Sequence, residues 1–218
     1  MDVDEILSEN KSSILLIEKR EHNHIVVGVP HHAPAGKSRL PCPSHLDSDE
    51  NAGFLGRYLA ERLNCCSIIA CNYPFDVNKC LCSDYTKQIL RWGPQILIEI
   101  HGHGGKSNNF DIEISSGSED KEKHSMDLAE RLLVELSKIE ALRNLKIGGK
   151  FQEIYFKAKE TATITDARWL AYHIELPAVL RKPEGAMVGI PSPLGFQFCD
   201  ALLSVLQELH SKSGEKEK

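Results

Sequence analysis

Apolar positions along this chain fall into two rhythms. Short apolar or aromatic runs at 13–17, 24–29, 67–70, 96–100, 110–115, 151–156, 161–165 and 172–176 read as strands. Stretches with a period near 3.6 predict helices at 2–9, 52–63, 84–92 and 126–139, and one turn at 166–170. A last helix follows Pro193, with Phe198, Ala201, Leu202, Val205 and Leu209 on one face. The charged stretch 18–23 reads as a hairpin-like connection between the first two strands. Strands alternating with helices predict an α/β fold of three α/β/α layers around a mixed, mostly parallel sheet. One domain is expected over 1–218, with the charged tail 211–218 frayed.

The same pattern puts chemistry at strand ends. The buried run 96–100 opens into His101-Gly102-His103-Gly104-Gly105, a turn with room for the backbone beside a ligand. The run 25–29 opens into Pro30-His31-His32, and 172–176 carries Glu175 in an otherwise apolar strand. The loop 30–49 is long for a compact domain, as binding loops are. It ends in Asp47, Ser48, Asp49 and Glu50, where a helix starts. A lone histidine of this kind is usually a solvated or hydrogen-bonded loop residue. Two strands ending in His, with an acid at a helix start, carry a metal centre as far as that bland reading does. His31 and His32 point opposite ways in an extended chain, so only one faces such a site. The carboxylate comes from Asp47, Asp49 or Glu50.

Glu175 is either a general base in a buried strand or an acid facing water or pairing with Arg168 or Arg181. Lys79, with Arg39 and Arg181 as weaker candidates, could hold a substrate carboxylate. His103 is a candidate for a second contact to substrate.

Composition narrows the rest. The 31 acids exceed the 26 bases, which argues against nucleic acid as a partner. No apolar run approaches the roughly 18 residues of a membrane span, and the start of the chain lacks a signal-peptide pattern. The seven cysteines are therefore expected as reduced thiols in the cytoplasm, and Cys65-Cys66 and Cys80-Leu81-Cys82 lack the spacing of a structural zinc site. There is no G-x-S-x-G elbow, and Ile100 stands where a phosphate-binding loop ending in Lys106-Ser107 needs glycine.

One arrangement of these residues is familiar. Val29-Pro30-His31, Ser48-Asp49-Glu50 opening a helix, Asp76-Val77-Asn78-Lys79, Glu99-Ile100-His101-Gly102 and Ile174-Glu175-Leu176, in that order, resemble the N-formylglutamate amidohydrolase family, over about residues 24–182. That family is related in fold to zinc carboxypeptidases and succinylglutamate desuccinylase. The resemblance implies a mixed sheet flanked by helices and a single zinc ion. His31 matches the first histidine ligand and His101 the second, and Asp49 or Glu50 the carboxylate. Glu175 matches the catalytic glutamate, and Asn78 and Lys79 match an Asn-Arg pair that holds the substrate's carboxylate. This chain departs in having His32 after the first ligand and lysine in place of the arginine.

The expected function is zinc-dependent hydrolysis of an N-acyl amino acid or related small amide. Glu175 takes a proton from water, and Asn78 and Lys79, with Arg39, Arg181 or His103, contact a carboxylate-bearing substrate. A carboxypeptidase-like peptidase and a non-catalytic metal- or ligand-binding module on the same fold are the alternatives. The oligomeric state stays open, a homo-oligomer included.

Overall fold

In this computed structural model, residues 2–105, 109–183 and 190–211 are described. The tail read as frayed lies, from 212 onward, outside them. In chain order the elements are α1 (Val3–Glu9), β1 (Ile14–Glu18), β2 (His22–Ala33), β3 (Asp49–Glu50), α2 (Ala52–Arg62), β4 (Cys65–Cys71), α3 (Asp84–Trp92), β5 (Ile96–Gly102) and β6 (Ile112–Ser115). There follow a 3-10 turn (Glu119–Lys121), α4 (Glu122–Ser137), β7 (Ile147–Gly148), α5 (Ala162–Thr165), β8 (Leu170–Leu176), α6 (Ala178–Arg181) and α7 (Pro193–Ser211).

The strands form one sheet in the order β1-β4-β2-β5-β8-β6-β7, with β3 paired to β2. Its centre, β4-β2-β5-β8, is parallel. β1 runs antiparallel to β4 and β6 antiparallel to β8, with β7 parallel to β6, so the sheet is mixed. The first two strands do not pair as a hairpin: β4 inserts between β1 and β2.

Alternation along the strands builds two cores, one on each face. Val27, Val29, Ile98, Ile100, Tyr172 and Ile174 pack with α2, α4 and α7. Val26, Leu97 and Ala171 pack with Tyr85 and Ile89 of α3 and Ile164 of α5. This is the three-layer arrangement. Local chemistry sets the helix ends: Ser83 caps α3 by accepting from the Thr86 N–H (3.0 Å), and Gly93, at φ 57°, ends it.

Two predicted strands are not strands. Residues 161–165 form the short helix α5, and 151–156 form turns and irregular chain. The aromatics of 151–156 lie outside the core: Tyr155 is exposed, and Phe151 and Phe156 are only partly buried. Buried Glu113 accepts from the N–H groups of Tyr155 and Phe156, both at 2.8 Å, which ties that segment beside the sheet without a ladder.

The thiols divide by location. Cys42, Cys65, Cys66, Cys71 and Cys199 are free and buried. Cys80 and Cys82 form a disulfide, which corrects the expectation of reduced thiols throughout.

Candidate metal centre

Register brings the chemistry together on the α3 face. Glu99 lies opposite His173, and His101 opposite Glu175, on the adjacent parallel strands β5 and β8. Successive side chains on one face are two residues apart, so all four project from the same side of the sheet. Beside them, β2 contributes His31 through an irregularity. Simple alternation from Val29 would turn His31 toward α2. Between Val29 and His32 the β2–β4 register slips: three residues of β2 span two of β4. This bulge re-aims His31 toward β5 and sends His32 to α2. His32 is fully buried there, accepting from the Gly53 N–H (3.1 Å) and contacting the Leu7 carbonyl (3.0 Å). The residue after the candidate ligand is thus a packing residue on the opposite face.

Asp49 lies in β3, paired to His32 of β2. Its Oδ2 is 3.3 Å from His101 Nδ1 and 3.5 Å from His31 Nδ1. Oδ2 of Asp49 and Nδ1 of His31 are buried without a hydrogen-bond partner. The far nitrogen of each imidazole faces another acid. His31 Nε2 is 2.9 Å from Asp76 Oδ1, and His101 Nε2 is 3.4 Å from Glu99 Oε2. A proton held on each Nε2 by these carboxylates leaves each Nδ1 with a lone pair, all aimed at one spot.

The electrostatics ask for positive charge at that spot. Burial opposes protonation of His101, yet Asp49 and Glu99 carry it up to about 10. Burial likewise works against His31, and Asp49 and Asp76 raise it all the same. Burial would raise the Asp49 carboxyl, but His101 and His31 outweigh it and hold it well below the usual range. Two nitrogens, one carboxylate oxygen, orphaned buried donor atoms and an excess of acid fit a divalent cation.

Glu99, which sequence reasoning passed over, is fully buried at the base of this arrangement. It accepts from the Tyr85 hydroxyl (3.0 Å), the Thr163 hydroxyl (2.7 Å) and Asn78 Nδ2 (2.9 Å). An acid inside an apolar strand was readable, by the argument applied to Glu175. His173, two residues before Glu175 and on the same face, was readable too. Its ring lies 4.1 Å from that of His101, and its Nε2 is 3.5 Å from Glu175 Oε1. Glu175 is buried, and that burial pushes its carboxyl up to about 7. It neither faces water nor pairs with Arg168, which binds Asp166 instead.

A cleft of about 450 Å³ opens over these groups, lined by His31, His45, His101, His173, Glu175, Asn78, Lys79 and the 155–161 segment. Lys79 Nζ reaches Asp76 Oδ2 at 3.0 Å. His45, from the loop before β3, stacks on His31 at 3.8 Å between centroids. Its proximity signal is absent from the sequence, because it depends on how that loop folds. A second cleft of about 480 Å³, between α1 and α2, has no histidine or cysteine in its lining among the described residues.

Five expected contacts fall elsewhere. Glu50 follows Asp49 on β3 and so points away; its carboxylate accepts from the Gly36 N–H (2.8 Å) and lies 3.3 Å from Lys182 Nζ. The buried guanidinium of Arg181 is spent on backbone carbonyls of Leu176 (3.1 Å), Glu50 (2.9 Å) and His103 (3.1 Å). It passes beneath Gly102, where a Cβ would stand 2.1 Å from its Cζ. His103 uses both nitrogens to hold its own turn, against the Asp111 carbonyl (2.8 Å) and the Gly105 N–H (3.1 Å). Arg39 is exposed on the loop and bridges to Asp47. Asp47 thereby belongs to the loop's own pairing.

No protein-family model matches the chain, and no curated protein matches it by sequence. Solved structures do match. A bacteriophage poly-gamma-glutamate hydrolase superposes with a TM-score of 0.56 at 10% identity, over 93% of this chain and 94% of that one. N-formylglutamate amidohydrolase from Ralstonia eutropha JMP134 gives 0.55 at 13%, over 92% and 98%. The gene product Atu2144 from Agrobacterium tumefaciens gives 0.52 at 14%, over 93% and 98%. The chain has the fold of these proteins over most of its length.

Proposed function

We propose that this protein is a zinc-dependent amidohydrolase acting on an N-acyl amino acid or related small amide that bears a carboxylate. The observation that carries the reading is the convergence of His31 Nδ1, His101 Nδ1 and Asp49 Oδ2, each imidazole backed by its own acid, within reach of Glu175. Nitrogen and carboxylate donors with a free approach from a cleft suit a catalytic rather than a structural zinc. The fold is shared with two hydrolases whose names each carry a glutamate-derived substrate.

His31, Asp49 and His101 would hold the ion, which supplies Lewis-acid polarisation of the amide carbonyl and lowers the pKa of the attacking water. Glu175 takes that water's proton and delivers it to the leaving amine. Its burial suits both halves of the task, since a carboxyl near 7 is poised between base and acid. His173 positions Glu175 from the preceding face position. Asp76 and Glu99 fix the imidazole tautomers. Asn78 and Lys79, at the cleft wall, receive the substrate's carboxylate.

The test is Glu175→Gln in zinc-loaded protein, assayed on N-formyl-L-glutamate and a panel of N-acetyl amino acids. The variant retains one zinc per chain and loses turnover by at least about 10². An unchanged rate sinks the assignment. Blocked peptides in the same panel separate this reading from a carboxypeptidase-like peptidase, and a silent wild-type enzyme would favour a binding module.

A further inference from the structure

The loop between β2 and β3 is a built arm. The Leu40 N–H donates to the Leu46 carbonyl (2.9 Å) and the Ser48 N–H to that of Ser38 (3.1 Å), while Arg39 and Asp47 bridge antiparallel between them. The His45 N–H closes the tip by donating to the Cys42 carbonyl (3.2 Å). Ala33, Leu40 and Cys42 form a small buried cluster of their own beneath it. The result is a short hairpin whose returning strand begins at His45.

That histidine stands over the candidate centre. Its ring lies nearly flat on the ring of His31, 18° between planes, and it lines the cleft. One of its nitrogens is within 4.8 Å of a His31 nitrogen and an Asp76 oxygen. The other three cleft imidazoles each face a carboxylate: His31 faces Asp76, His101 faces Glu99 and His173 faces Glu175. His45 is half-exposed, and neither of its nitrogens has a hydrogen-bond partner among the described residues. A side chain fixed by stacking, aimed into a cleft and left with a free donor is organised for a ligand that enters from outside.

We propose that His45 is a substrate-contacting residue, whose imidazole N–H donates to the carbonyl oxygen of the scissile amide and to the negative charge that develops there. The inference rests on the amidohydrolase reading. It assigns to the 34–48 hairpin the work of presenting a preorganised donor, a device worth most when it need not move during the reaction. Either protonation state of the ring carries an N–H, so the role is independent of its charge.

His45→Phe keeps a ring to stack on His31 and removes the donor; His45→Gln restores an N–H without the ring. With zinc-loaded proteins and the best N-acyl amino acid of the wild-type panel, His45→Phe lowers kcat by roughly 10²–10³, with KM changing little and one zinc per chain retained. His45→Gln recovers at least about tenfold of that loss. Turnover of His45→Phe at the wild-type rate overturns the proposal. So does loss of zinc from both variants in parallel with activity, which would make His45 a support of the ion. A wild-type protein that hydrolyses nothing defeats the amidohydrolase reading, and this inference with it, before any substitution is made.

Discussion

Gly28 tests the packing that sets the centre. It lies on β2 opposite Glu99 of β5. A Cβ there would stand 2.1 Å from the Tyr85 hydroxyl oxygen, 3.2 Å from Tyr85 Cζ and 3.3 Å from Glu99 Cγ. The first contact is impossible; the other two are tight but tolerable. Both Tyr85 and Glu99 are fully buried, so neither can swing clear. Gly28→Ala should therefore cost toward the upper end of the roughly 1–3 kcal/mol of core overpacking. Tyr85→Phe removes the offending oxygen but also a hydrogen bond to a buried carboxylate. Thr163 still donates to the same oxygen. The loss belongs at the lower end of the roughly 1.5–3 kcal/mol for such a bond. Independent effects would sum to about 4.5 kcal/mol, whereas the double variant, free of the clash, should lose only about 2, a coupling of about 2.5 kcal/mol. Urea unfolding of the four proteins at one pH, with unchanged m-values, measures the cycle. Additive losses, or a Gly28→Ala protein of wild-type stability, would refute the reasoning.

Asp49→Asn should strip zinc on dialysis while Glu50→Gln retains it, as read by elemental analysis; loss from both would mean that the strand places neither acid uniquely. Arg181→Lys, which leaves about two of three buried carbonyls unpaired, should lower stability by roughly 2–4 kcal/mol in urea and leave KM unchanged. Glu18 sits among Arg57 (3.2 Å), Arg20 (3.1 Å) and the Ser67 hydroxyl (3.1 Å); burial works against its ionisation, but the two arginines hold its carboxyl below 4.5. A carboxyl depressed in the folded state stabilises above its unfolded pKa and ceases to do so as pH falls through the folded one. Glu18→Gln should thus cost up to about 1 kcal/mol at pH 7, and the gap to wild type should close below pH 4 in urea titrations.

Strand ends were the legible part of the site. His101 and Glu175 stand out because an imidazole or an acid interrupts a buried apolar run, and period-two alternation is a strong local signal. The same logic reaches Glu99 and His173, each two residues before one of them, once both strands are laid in register. The choice between Asp49 and Glu50 needed β3, a strand too short to read, since parity along it sends one carboxylate to the histidines and the other to Gly36. His31 against His32 was illegible in a deeper sense. An unbulged β2 gives the opposite answer, and the bulge is set by pairing with β4, remote in sequence. Arg181 illustrates the converse. A cation near the site by sequence is drawn under Gly102 by three carbonyls that only the tertiary fold brings together. The segment 151–156 reads as a strand from its aromatic content, whereas the Glu113 carboxylate holds the N–H groups of Tyr155 and Phe156 and makes those two residues cleft wall.

Among the described residues the cleft offers three overlapping groups that could bind an ion: His31 with Asp49 and His101, His31 with His45 and Asp76, and His101 with His173 and Glu175. Anomalous diffraction at the zinc edge, from crystals of zinc-loaded protein, distinguishes them directly. The account predicts one peak, bonded to Nδ1 of His31, Nδ1 of His101 and a carboxylate oxygen of Asp49, at about 2.0–2.2 Å. A peak on either of the other groups, or none in protein saturated with zinc, would contradict it.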